Sequence, residues 1–144
     1  MISRARWMLL LAPFALACLD STAPGGEVAD VRGSWQFTAD QSAPSVQLQG
    51  LLIIEAQSGD LLTGRLSWEE RDAAGVLRVD GGAISGRVFG ESDVDFDLLQ
   101  PSGGRRHVAR LSRDTMHGSW VDLARSRSGA FRAVRTSAAV RTLP

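Results

Sequence analysis

Few side chains in this 144-residue chain have the types and spacing that chemistry demands. Its single cysteine is Cys18, and its two histidines are His107 and His117. By alternating parity, His107 shares a face with Ala109 and Leu111, while His117 lies opposite Met116, Gly118 and Trp120. The two imidazoles thus belong to opposite sides of a sheet, which argues against a shared metal, and no Cys/His ligand spacing is present. Nucleophilic catalysis needs Ser or Cys beside a positioned base. The sequence carries no G-x-S-x-G, phosphate-loop or dinucleotide fingerprint. Glu91, Asp93, Asp95 and Asp97 are carboxylates of the kind calcium takes. At strand spacing, however, they form a row, which Arg106 and Arg110 on the next segment can neutralise. No catalytic residue, metal or cofactor is assigned, and the chain is expected not to be an enzyme.

The apolar set is more informative. Trp35, Phe37, Trp68, Phe96, Trp120 and Phe131 all fall on the inward parity of their segments. One reading is a plain packed core. The other is a small apolar pocket lined by Trp35, Trp68, Phe96, His107, Trp120 and Phe131, with His107 as its one polar handle. Formal net charge is zero. Neither a basic field nor aromatic residues interleaved with basic ones favour nucleic acid.

The elements that must hold these residues read as strands. Period-two alternation with frequent breakers predicts strands at about 33–39, 46–57, 61–71, 76–89, 93–99, 105–111, 115–122 and 129–135. Gly81-Gly82 suggests a bulge or bend in the fourth. No helix longer than a turn is expected. Eight strands joined by short turns predict an all-β, antiparallel up-and-down barrel; a β-sandwich is the alternative. Directly opposed residues point to one face, so Asp93, Asp95 and Asp97 are expected opposite Arg110, Val108 and Arg106.

Residues 1–17 lie outside this pattern. Arg4 and Arg6 precede an apolar run from Trp7 to Ala17, too short to span a bilayer as a mature helix. Ala15-Leu16-Ala17 then leads to Cys18, a segment that resembles a bacterial lipobox. The resemblance implies a signal peptide at 1–17 and acylation of Cys18. Plain cleavage and release of a soluble protein is the alternative. Residues 18–30, with Pro24, Gly25 and Gly26, read as the lipidated N-terminus and a flexible tether. The barrel is expected over 31–135, and 136–144 is expected to fray. One cysteine excludes an internal disulfide. All sixteen basic residues are arginine, and they concentrate late in the chain. If the last three strands are adjacent, one side of the barrel is basic unless its neighbours neutralise it.

Gly33-Ser34-Trp35, opening the first strand, resembles the start of strand A in lipocalins and other calycin barrels; Gly118-Ser119-Trp120 repeats the triplet. The resemblance implies that Trp35 is covered by an arginine from the last strand, for which Arg135 has the right parity. A similar G-x-W opens avidins, but their pocket uses Asn and Tyr, and this chain has neither. The expected protein is a lipid-anchored component of the bacterial cell envelope, facing the periplasm or exterior, whose barrel binds a small apolar ligand. A filled structural or interaction barrel with an unknown protein partner is the alternative.

Overall fold

The computed structural model describes residues 27–42, 45–71, 74–101 and 103–138. Cys18, the expected signal peptide, most of the tether and residues 139–144 lie outside them. Eight strands follow in order: β1 (Gly33–Ser42), β2 (Ser45–Ser58), β3 (Leu61–Arg71), β4 (Leu77–Phe89), β5 (Asp93–Leu99), β6 (Arg105–Ser112), β7 (Thr115–Asp122) and β8 (Arg127–Ala138). Each pairs antiparallel with the next, and β8 returns to β1, closing an up-and-down barrel. The sandwich is excluded, because closure leaves no free sheet edge.

Burial alternates along β1, β3, β5 and β6 as the sequence alternates, so one face of each strand fills the lumen. The β5–β6 register is the expected one: Asp93 faces Arg110, Asp95 faces Val108 and Asp97 faces Arg106. Arg110 pairs with Asp93 across the ladder, whereas Arg106 reaches diagonally to Asp95. Asp93 and Asp95 of the acidic row are therefore paired on the outer face. Strands β6, β7 and β8 are adjacent, and Asp93 and Asp95 of the neighbouring β5 offset part of their basic excess.

Three details correct the sequence reading. The β3–β4 ladder runs through Gly81 and Gly82 without a register shift. A Cβ at Gly81 would lie 2.4 Å from the Leu66 carbonyl oxygen, so close approach rather than a bulge places glycine there. The bulges fall elsewhere, between Ile54 and Ala56 in β2 and between Ser34 and Trp35 in β1. Strands β1 and β8 also outrun their side-chain patterns: β1 continues to Ser42, and β8 begins at Arg127 and continues to Ala138. Backbone pairing carries them on, Gly33 opposite Ala138 and Ser42 opposite Ser45, where the apolar alternation has ended. The two G-x-W glycines serve different ends. Gly33 has φ 124°, in the left-handed region. A Cβ at Gly118 would meet the Phe131 ring at 2.8 Å and the Val108 carbonyl oxygen at 2.1 Å.

The chain before β1 seals one end of the barrel, here called the lower end. Val31 is fully buried, and Val28 and Ala29 pack against the core. Gln57 clasps this segment: its Oε1 accepts from the Val31 N–H at 3.0 Å and its Nε2 donates to the Ala29 carbonyl at 2.9 Å. The Trp35 indole donates to the Val31 carbonyl at 3.0 Å. Arg135, directly opposite Trp35 in the ladder, lays its guanidinium carbon 4.3 Å from the indole centroid. Its Nη1 and Nη2 donate to the Arg32 and Asp30 carbonyls at 2.7 and 2.8 Å. This is the contact expected from the calycin resemblance.

A cation over a desolvated indole contributes roughly 0.5–2 kcal/mol, and bonds to a charged donor about 1.5–3 kcal/mol each in mutational series. Arg135→Ala is therefore expected to lower stability by about 2 kcal/mol or more. Arg110→Ala, which removes an exposed pair, should cost about 0.2–1 kcal/mol. Denaturant midpoints measure both, and equal shifts would reject the clasp.

Candidate functional site

All six expected lining residues are buried: Trp35, Trp68, Phe96, His107, Trp120 and Phe131. Their contacts group them into three layers between the sealed lower end and the upper end, where β1 finishes, the middle and upper layers adjoining where His107 faces Trp120 across the β6–β7 ladder. Trp35 stands apart in the lower layer with Arg135. The middle layer is a ring cluster in which Phe96 stacks on His107 at 4.6 Å and 6°. Phe131 meets His107 edge-on at 5.4 Å, and Phe37 stacks on Phe131 at 5.4 Å. Trp68 and Trp120 belong to the upper layer.

What joins these last two is a residue the sequence reading did not single out. The guanidinium carbon of Arg105 lies 4.4 Å from the Trp68 ring and 4.7 Å from the Trp120 ring. Its Nε donates to Asp122 Oδ2 at 3.4 Å. Asp122 is fully buried, and it also accepts from the Arg125 backbone N–H at 3.0 Å and Arg125 Nη1 at 3.2 Å. Gln41, buried at the end of β1, accepts from Arg127 Nη1 at 3.3 Å. His107 is thus not the lumen's one polar group, and that expectation is corrected. The signal was available: Arg105 has the parity of His107, Asp122 that of Trp120, and Gln41 that of Trp35. All three sit at or past the ends of the apolar alternation, where side chains are ordinarily solvated.

Burial pushes the His107 imidazole down to about 4, and the neighbouring Arg105 charge pushes the same way; the carbonyls of Arg105 and Phe96 and the charge of Asp95 oppose it. His107 is neutral at pH 7. Burial also lowers Arg105 from its ordinary value, against the pull of Asp122. His117 is exposed on the outer wall, as parity predicted.

Four buried polar atoms have no hydrogen-bond partner: Trp68 Nε1, Trp120 Nε1 and His107 Nδ1 in the lumen, and Gln100 Oε1 in the connection after β5. Native interiors seldom leave such atoms unpaired unless a water, ion or ligand meets them. Among the described residues, no group of three or more His, Cys, Asp or Glu is arranged to hold a metal. Open depressions lie outside the lumen. One of about 730 Å³ is lined on the outer wall by Leu51, Ile53, Val79 and Ala83. Another, of about 460 Å³, lies beside Glu27, Asp30, Gln57 and Glu91 at the lower end.

No protein-family model matches this chain, and no curated protein matches it. Solved structures do. A de novo designed fluorescence-activating β-barrel aligns with TM-score 0.54 and 15% identity, over 74% of this chain and 94% of that one. EF1p2_mFAP2b bound to DFHBI aligns with TM-score 0.56 and 16% identity, over 73% of this chain and 93% of that one. At such identity the likeness is one of fold, a small closed β-barrel.

Proposed function

We propose that this protein is a non-enzymatic binding module, a calycin-like barrel that takes a small ligand at the upper end of its lumen and is held at the bacterial cell envelope by a lipid on Cys18. The observation that carries the binding reading is the set of unpartnered polar atoms in the lumen, Trp68 Nε1, Trp120 Nε1 and His107 Nδ1. A barrel of similar fold, EF1p2_mFAP2b, is bound to DFHBI. The membrane reading rests on Cys18 following a short apolar segment.

A second reading has its own observation. The core side chains along the lumen wall are at most 4% exposed, as in a filled barrel, and the apolar Leu51 and Val79 are exposed on the outer wall. Such a barrel would act through its outer surface.

Native mass spectrometry of the full-length protein, extracted from bacterial membranes in mild detergent, tests the proposal. The expected species starts at an acylated Cys18 and carries an additional small molecule lost on collisional activation. An unmodified N-terminus in the aqueous fraction rejects the anchor. A lipidated protein that carries nothing, whatever the source of the membranes, rejects the ligand and leaves the filled barrel.

A further inference from the structure

The upper lumen has a chemical bias that apolar packing does not explain. Indole Nε1–H and guanidinium groups only donate hydrogen bonds. Three of them meet here, because Trp68 and Trp120 pack their rings on Arg105 from different strands. Both indole nitrogens are buried without a partner. Of the Arg105 fork, only Nε is engaged by a described residue, through Asp122. Asp122 is itself occupied on both oxygens, with Oδ1 on the Arg125 N–H and Oδ2 on Arg125 Nη1 and Arg105 Nε. The cation covers one face of each ring, and the unpartnered polar groups of the layer are the indole N–H edges.

We propose that this layer is a binding site for a small organic carboxylate, whose two oxygens accept from Trp68 Nε1–H, Trp120 Nε1–H and the Nη edge of Arg105. The assignment rests on the ligand-binding reading above and names its ligand class. A planar two-oxygen anion matches the planar fork. A phosphate dianion fits less well, because its second charge would lie beside the buried Asp122 carboxylate. The stem of the ligand would run toward the Phe96–His107–Phe131 cluster, where the unpartnered His107 Nδ1 lies.

Benzoate and its neutral isostere benzamide are the probes, titrated into the full-length protein while the indole N–H resonances are followed by NMR. Benzoate is expected to shift the Trp68 and Trp120 signals saturably downfield. The Trp35 signal should stay, because its N–H already donates to the Val31 carbonyl. Benzamide should bind about tenfold more weakly, the difference between a charge-assisted and a neutral acceptor. Arg105→Lys, which keeps the charge but loses the fork, should weaken benzoate by a similar factor. Equal affinity for benzoate and benzamide overturns the carboxylate assignment while leaving a ligand-binding lumen. Benzoate that moves neither indole also overturns it. If native mass spectrometry still finds a bound molecule in that case, the binding module survives with its site elsewhere. The wild-type comparison of the two probes decides even if the Arg105 variant fails to fold.

Discussion

Replacing Asp122 with alanine is expected to cost about 3–5 kcal/mol of folding stability, because it strands a buried cation. Arg105 is withdrawn from solvent between two indoles, and among the described residues Asp122 is the carboxylate with which it forms an ion pair, the charge of Asp80 supporting it from farther away. The substitution also frees the Arg125 backbone N–H in the turn between β7 and β8. Asp122→Asn keeps an acceptor for that N–H but not the charge, and should lose less. Removing both charges, as Arg105→Met with Asp122→Ala, should recover part of the loss, since an apolar pair of similar volume replaces an ion pair whose desolvation offset much of its attraction. Urea midpoints of the three variants measure this. A shift for Asp122→Ala no larger than that of Asp93→Ala, an exposed pair worth about 0.2–1 kcal/mol, would show that Arg105 is solvated or otherwise compensated.

Acid should destabilise the barrel through one imidazole. His107 binds its proton near pH 4 in the folded chain and at its ordinary value of 6.5 when unfolded. Between those values the unfolded state carries a proton that the folded state refuses. Stability is therefore fully present above pH 6.5, falls by about 1.4 kcal/mol per pH unit below it, and levels off below pH 4 after losing about 3 kcal/mol in all. Carboxylates add their own titration, so the measurement is a difference. His107→Phe, which fits the stack on Phe96, should remove this portion of the slope between pH 7 and pH 4.5 and leave the rest. Parallel pH profiles for wild type and variant would mean that His107 takes up its proton in place, with water or a bound group beside Nδ1.

The architecture was legible in the chain because a strand half-buried in a closed barrel must alternate. The alternation Val94, Phe96, Leu98 against Asp93, Asp95, Asp97 fixed both the inward face of β5 and, with Arg106 and Arg110, its register to β6. The Trp35–Arg135 contact was implied by the calycin resemblance, and parity on β8 only picked out Arg135 as the residue to make it. Alternation assigns a side, however, and not a depth. The six residues Trp35, Trp68, Phe96, His107, Trp120 and Phe131 share the inside but belong to different layers, because which of them meet is set by strand stagger around the barrel. The buried polar layer was hidden for a related reason. Arg105, Asp122 and Gln41 lie at strand ends, where a charged or amide side chain ordinarily finds water. Only the closed barrel, with Trp68 arriving from β3 and Trp120 from β7 to cover Arg105, turns those ends into interior. Parity in the sequence determined which side chains face inward; three-dimensional closure decided which of those are cut off from solvent and which polar atoms are left there without partners.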